Sequence, residues 1–203
     1  MVSNALTIGD FDRILDGYAG RQVTHIPVTR TTSNVYGKES FTNGNPITLK
    51  AYFMRTMQTW DYEKAGFLEN GDAVMLSKYA DSVQKNDLIY TDGFGLSISS
   101  IDGDASEITV STSTVHGLSS GDEIIITNTT NYDGLYTIAS ITDTDTFVIT
   151  DSNHNLAAET SGSVIKDYNK FLVKERFDVP GVFDSTGEAT SYVYTACNLF
   201  LTN

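Results

Sequence analysis

The middle third of this protein has no lysine and no arginine. Residues 99–165 carry ten acidic side chains and no basic ones, whereas residues 1–98 carry nine basic and eleven acidic ones, and residues 166–203 carry four and five. Tight binding of nucleic acid depends on Lys and Arg side chains that neutralise phosphates. The middle segment is therefore not expected to grip DNA, and DNA passing close to it would be repelled.

The sequence also lacks the features of a disulfide-stabilised or membrane-spanning protein. A single cysteine, Cys197, excludes an intrachain disulfide. No basic residue flanks it in YVYTACNLFL, so it is predicted to be a buried apolar side chain rather than a reactive thiol. No apolar run follows a basic start, and none approaches the roughly 20 residues that cross a bilayer. These absences predict a soluble protein made in the cytoplasm.

Metal and cofactor sites have little support in the sequence. The three histidines, His25, His116 and His154, are isolated from one another and from the cysteine, which argues against a zinc site and for structural roles. No phosphate-binding glycine loop, dinucleotide fingerprint or pair of acids in an evident cleft is found. We expect no metal, no cofactor and no enzymatic activity.

Two short strings resemble functional motifs in the wrong context. Residues 117–121 (GLSSG) match G-x-S-x-G, but a nucleophile elbow needs a strand before the serine and a helix after it, whereas Ser119 precedes the strand-like EIIIT. Residues 143–151 (DTDTFVITD) resemble a calcium loop, but Val148 stands where that loop needs Gly and His154 where it needs Glu. We predict a surface turn for the first string and strand core for the second.

β-forming residues are abundant. Eleven Tyr, ten Phe and many Thr, Val and Ile lie in short runs bounded by turn residues, which predicts a mainly β fold. One short N-terminal helix is expected, capped by Asp10. Residues 22–31 are a strand candidate whose Pro27 favours an edge position or an irregular start, and residues 47–53 alternate apolar and polar side chains as a half-buried strand does.

Residues 71–98 are predicted to organise the fold. Residues 73–75 and 88–90 are β-prone runs joined by a polar segment, which indicates two strands of a meander or hairpin. A third strand is predicted to start at Phe94, because Phe94, Leu96 and Ile98 alternate with small residues at a period of two.

The charge break after Ile98 divides the protein into two predicted domains. We predict a small β-barrel host domain from residues 1–98 and 166–203, interrupted by an inserted acidic all-β module at residues 99–165. A structureless loop of that length is rare in a compact domain. Strand signals within the insertion lie at residues 108–110, 123–127, 135–141 and 146–150, and the Asp133-Gly134 pair is a hairpin signal.

Four segments of the host domain follow one another in a distinctive order. They are GDAVML, KNDLIYTDG, KFLVKERFDVPGVF and a closing aromatic strand, SYVYTACNLFL. In this order of elements, residues 20–98 and 166–203 resemble the small β-barrel head-completion or stopper proteins of tailed-bacteriophage necks.

The insertion has a pattern of its own. It consists of His116-Gly117-Leu118, Gly121-Asp122, Asn131-Tyr132-x-Gly134-x-Tyr136-x-Ile138 and Thr146-Phe147-x-Ile149. With these residues the insertion resembles a small β module that recurs in phage tail and virion proteins. That resemblance implies a virion component.

The resemblance to stopper proteins implies a homo-oligomeric ring at the head–tail interface of a virion. Its expected neighbours are a portal or adaptor protein on the head side and tail-terminator or tail-tube proteins on the tail side. Double-stranded DNA would pass through the lumen without sequence-specific binding, and no membrane is involved. Identical subunits can close such a ring by repeating one heterologous interface. The acidic module is expected to lie on the outside of the ring.

One loop from each subunit is expected to project into the channel, and two turn-rich segments qualify: residues 32–45 and 178–188. Trp60 is expected to pack in the core, with a subunit contact as the alternative. The candidate channel or interface residues are Thr32, Tyr36, Asn43, Trp60, Asp178, Pro180, Phe183 and Glu188.

Two other functions remain open at this point. A tail-terminator or tail-adaptor protein would share the barrel and the ring. A carbohydrate-binding module of a tail fibre would use Trp60 and Tyr132 as stacking platforms. A fibre protein would be expected to show repeats, and none is visible along this sequence.

Overall fold

A computed structural model of the protein describes residues 20–32, 39–54, 71–104, 107–151, 156–183 and 189–202. The protein is mainly β and forms closed β-barrels, which confirms the predicted fold class. The predicted N-terminal helix and Trp60 lie outside the described residues. No helix within the described ranges is long and apolar enough to cross a membrane.

The described residues form fourteen strands and one short 3-10 turn at Tyr79–Asp81. The strands are β1 (Arg21–Ile26), β2 (Val28–Thr32), β3 (Glu39–Asn43), β4 (Ile47–Met54), β5 (Ala73–Lys78), β6 (Leu88–Thr91), β7 (Phe94–Asp104), β8 (Glu107–Thr112), β9 (Glu123–Thr127), β10 (Gly134–Ile141), β11 (Thr146–Thr150), β12 (Ser163–Lys166), β13 (Asn169–Phe183) and β14 (Ala189–Thr202).

The first compact unit contains Met1–Val28, Ile47–Thr91 and Asn169–Asn203. Its strands close into a barrel, here called the host barrel, in the order β1-β4-β5-β14-β13-β6. Phe53 packs edge-on against Phe171, with ring centroids 5.1 Å apart. The buried core consists of Val23, Leu49, Ala51, Ala73, Met75, Val83, Ile89, Phe171, Val173, Cys197 and Leu199.

The second compact unit contains Thr29–Pro46 and Asp92–Tyr168. Residues 92–168 include a second closed barrel, here called the inserted barrel, in the order β10-β11-β8-β7-β12-β9. Its core contains the predicted strand residues Phe147 and Ile149, both fully buried. The other buried members are Leu96, Ile98, Ile101, Ile108, Val110, Ile124, Ile126, Tyr132, Ile138 and Val164.

The two units separate earlier than the charge break predicts. β7 runs unbroken from Phe94 to Asp104, across the predicted boundary after Ile98, and its first residues pair with β12. The units instead divide between Thr91 and Asp92 and again between Tyr168 and Asn169. The loss of basic residues after Ile98 marks a change in surface charge. The boundary between the two barrels is determined by which strands pair with each other.

β7 also shows why simple alternation predicts burial only in part. Leu96 and Ile98 face the core, but the next buried apolar residue is Ile101, because the register with β8 shifts between Ile98 and Ser100. A bulge of this kind inserts one residue and turns the later side chains to the other face. Phe94, the predicted start of this strand, is its first residue and is 59% exposed.

The predicted meander or hairpin of β5 and β6 is wrong. β5 pairs with β4 and β14, whereas β6 pairs with β1 and β13, so β5 and β6 are not neighbours in the host barrel. The segment that joins them carries Val83, which is fully buried in the core. Because Val83 is buried, the segment between β5 and β6 packs in the core of the host barrel. The local sequence does not indicate which strands pair with β5 and β6.

Two further local predictions need correction. Pro27 does not place its strand at an edge: β1 ends at Ile26 and pairs with β4 on one side and β6 on the other. The proline instead separates β1 from β2, as expected for a residue with no backbone donor. Residues 32–45, predicted to be a loop, contain β3, which forms a two-stranded sheet with β2.

Candidate functional site

The first candidate segment is an exposed two-stranded ribbon formed by β2 and β3. Every described residue of the ribbon except Val28 is exposed, including the predicted interface residues Thr32 and Asn43. Phe41 is 57% exposed, and the Arg30 guanidinium donates to the Glu39 carboxylate across the two strands. Tyr36 lies outside the described residues.

The second candidate segment is a long hairpin rather than a loop. β13 and β14 pair from Lys170–Thr202 to Phe183–Ala189, so residues 178–183 belong to a strand. The register shifts on both sides of Pro180, a residue that cannot donate a ladder hydrogen bond. Among the described strands, only β14 pairs with β13 after Leu172. Glu188 lies outside the described residues.

Asp178 lies where this hairpin leaves the host barrel, and two neighbours hold it. Arg176 Nε donates to Asp178 Oδ1 at 3.0 Å, and an Arg176 terminal nitrogen lies 2.9 Å from Oδ2. The hydroxyl of Thr195, on β14, donates to the same Oδ1 at 2.8 Å. The Arg176 guanidinium also lies over the Tyr79 ring, 5.9 Å from its centroid. Asp178 therefore ties both strands together at the base of the hairpin.

Cys197 is buried in the host barrel, as the sequence predicts. Burial raises the pKa of its thiol to about 12, and this effect outweighs Arg176, which lowers the pKa. Sequence inspection found no basic residue beside Cys197, but strand pairing places Arg176 directly opposite it. The thiol remains protonated at neutral pH and is not available as a nucleophile.

His25 and Asp87 form a buried hydrogen-bonded pair in the host barrel. His25 Nε2 donates to Asp87 Oδ2 at 2.7 Å, and both side chains are at most 3% exposed. The backbone N–H groups of Val28 and Gln84 donate to the same carboxylate at 2.9 and 2.7 Å. Asp87 thus accepts hydrogen bonds from His25 of β1, from Val28 and from Gln84 in the turn before β6. The predicted structural role of His25 agrees with this geometry, whereas the sequence analysis missed Asp87.

In the inserted barrel, the G-x-S-x-G string forms a turn with no catalytic relay. The Ser119 N–H donates to Asp122 Oδ2 at 2.8 Å. His116 Nδ1 accepts the Leu118 N–H at 2.9 Å, so its hydrogen is on Nε2, which donates to the Asp143 carbonyl at 3.1 Å. Both ring nitrogens of this buried histidine are engaged by backbone groups. No ring nitrogen is left to activate Ser119.

Tyr132 is fully buried, so it cannot stack on a sugar. Its hydroxyl accepts the Gly103 N–H at 3.2 Å and lies within donating distance of the carbonyls of Leu156 and Ala157, at 3.0 and 3.1 Å. Burial raises the pKa of this phenol. The carbohydrate-binding alternative loses one of its two candidate platforms, and the other, Trp60, lies outside the described residues.

Within the described ranges, no cluster of three or more His, Cys, Asp or Glu side chains could hold a metal ion. The predicted interface residues that the structure describes lie on two different elements. Thr32 and Asn43 lie on the ribbon, whereas Asp178, Pro180 and Phe183 lie along β13. A search against protein-family models gives no match for this sequence. No curated protein matches it either.

Proposed function

We propose that this protein is a structural virion protein of a phage neck, where it forms a ring that connects the head to the tail and helps to retain or pass DNA. One observation carries the proposal. The four segments that resemble stopper proteins supply β5, β6, β13 and β14, all of which belong to the host barrel. Segments widely separated in the sequence thus contribute to one barrel of the kind that the resemblance implies.

The charge distribution suits a channel that DNA traverses. All 13 basic side chains of the protein lie outside residues 99–165, and the acidic excess lies mainly in the inserted barrel. A surface with little net charge neither holds phosphates tightly nor strongly repels them, so DNA can slide past it. A ring of identical subunits needs only one heterologous interface repeated until it closes.

The inserted barrel is proposed to decorate the outside of the ring. The residues that resemble the recurrent virion module are largely those that build its core and turns: Tyr132, Phe147 and Ile149 are fully buried. Gly117 and Gly121 take positive φ, a conformation that favours glycine. Its polar, acidic surface suits contact with solvent rather than a packed seam between subunits.

A tail-terminator or tail-adaptor protein is the alternative within the same class.

The test is electron microscopy of purified virions carrying gold-labelled antibody fragments raised against the full-length protein. Gold at the vertex between capsid and tail supports the neck proposal. Gold on distal fibres or the baseplate, or no gold on intact and disrupted virions, contradicts it.

A further inference from the structure

We propose that Asn43 and Gly44 form a site of spontaneous deamidation, at which the side-chain amide of Asn43 becomes a carboxylate. The inference does not depend on the proposed neck function. Asn43 is the last residue of β3 and its side chain is exposed, while Gly44 follows outside any strand. Asparagine is among the thermolabile residues of proteins, and this pair combines it with the least hindered neighbour.

Both reacting groups are accessible. Within the described part of the protein, no hydrogen bond engages the Asn43 amide or the Gly44 backbone N–H. Gly44 is partly exposed and has no side chain to hinder approach of its nitrogen to Asn43 Cγ. The nucleophile and the electrophile lie on adjacent residues, which makes the attack intramolecular.

The reaction needs only water as co-reactant. The Gly44 backbone nitrogen attacks Asn43 Cγ, and the bond from Cγ to the amide nitrogen Nδ2 breaks, so that ammonia leaves with the proton from the Gly44 nitrogen. A cyclic imide results. Water then adds to one of its two carbonyls and opens the ring, which gives aspartate or isoaspartate. The net change is amide plus water to carboxylic acid plus ammonia, with no oxidation or reduction.

Several other asparagines that the structure describes are constrained. Asn131 Nδ2 donates to Glu159 at 2.9 Å, and Asn128 Nδ2 donates to Thr127 at 3.3 Å. Asn45 precedes Pro46, which has no N–H to attack. The sequence contains a second Asn-Gly pair at residues 70–71, but Gly71 is packed closely against Asn198. Asn43 differs from these described residues in having an exposed side chain and a following glycine.

Deamidation would change the ribbon in two ways. Each event adds one negative charge to a ribbon whose described charged side chains, Arg30 and Glu39, already pair with each other. Isoaspartate also routes the backbone through Cβ and Cγ of residue 43, which lengthens it where β3 ends. An aged sample of the protein would contain molecules whose ribbons differ from one another in charge and in backbone geometry.

The test is incubation of the purified full-length protein at mildly alkaline pH, followed by isoelectric focusing and peptide mapping by mass spectrometry. We expect a shift of one negative charge, mapped to Asn43, with aspartate and isoaspartate both present. Gly44→Ala and Asn43→Gln should lose the shift. Alanine can adopt the backbone conformation here because Gly44 does not take a positive φ, and Asn43→Gln keeps an amide should Gly44→Ala not fold. An unchanged wild-type protein, a shift mapped to another asparagine, or the same shift in both variants would overturn the proposal.

Discussion

Thr91 and Asn169 are directly paired across adjacent strands of the host barrel, although residues 92–168 separate them in sequence. Those residues contain the whole inserted barrel. The backbone therefore leaves β6 and re-enters β13 at neighbouring points of one antiparallel ladder. Closure of the host barrel does not require any strand from the insertion.

Replacing residues 92–168 with a two-residue Asn-Gly turn should leave a folded host barrel. Thr91 and Asn169 are already opposite each other, which is the geometry that a two-residue hairpin turn connects. We expect one cooperative thermal transition, followed by circular dichroism. A broad, non-cooperative transition would mean that the two barrels share one folding unit.

Asp87→Asn should destabilise the host barrel by about 1–3 kcal/mol, because an amide has one acceptor oxygen where the carboxylate has two, which leaves a buried donor without an acceptor. The measurement is urea unfolding at neutral pH. The matched control is Glu39→Gln, which breaks an exposed pair with Arg30 and should cost less than about 1 kcal/mol. Equal effects of the two substitutions would contradict the structural role of Asp87.

Asp178→Ala should loosen the hairpin at its base. The variant removes the acceptor for Arg176 and Thr195, and because the Asp178 side chain is 26% exposed the expected cost is only about 1 kcal/mol. Hydrogen exchange should quicken at the backbone amides of Val179, Gly181, Val182 and Phe183. Asp167→Asn is the control, since that side chain is 77% exposed and no closer than 3.8 Å to Lys166, and asparagine tolerates the positive φ of this residue. Unchanged exchange in the first variant would exclude Asp178 as the tie between the strands.

Alkaline pH should destabilise the inserted barrel. The pKa of Tyr136 is raised from 10.0 to about 12 by burial, so the unfolded protein loses this proton first. Stability is therefore fully present below about pH 10 and falls as the pH rises through about 12. Tyr136→Phe should flatten that decline, whereas Tyr79→Phe, at a residue 40% exposed, should not. Identical pH profiles of unfolding for both variants would contradict this.

Tyr132→Phe should cost about 1–3 kcal/mol at neutral pH, because it leaves the buried Gly103 N–H without an acceptor. Urea unfolding of the full-length protein measures this cost, and Tyr79→Phe again provides the control. A change no larger than that of the control would mean that the Tyr132 hydroxyl contributes nothing to the barrel.

The local sequence pattern was sufficient to predict much of the structure of the inserted barrel. The turn at GLSSG precedes β9, and Phe147 and Ile149 lie in the core, because these features depend on turn residues and on alternation within one strand. The separation of β5 from β6 could not be predicted in that way. It depends on which distant strands pair, and local periodicity does not encode that choice.

The candidate segments were predicted with mixed success for the same reason. The ribbon residues Thr32 and Asn43 are exposed as a projecting segment requires. Residues 178–183 looked like a loop because of their Pro and Gly, but β14 pairs with them along their length and tolerates the irregular register. Asp87 was missed because a single acid before a strand gives no signal until β1 brings His25 beside it.

The measurement that tests the central claim most directly is electron microscopy of particles assembled by a phage that lacks this protein. The account predicts filled or emptied heads and separate, otherwise complete tails, because the ring that joins them is missing. Intact head–tail particles with packaged DNA would contradict it, whether or not their fibres were defective.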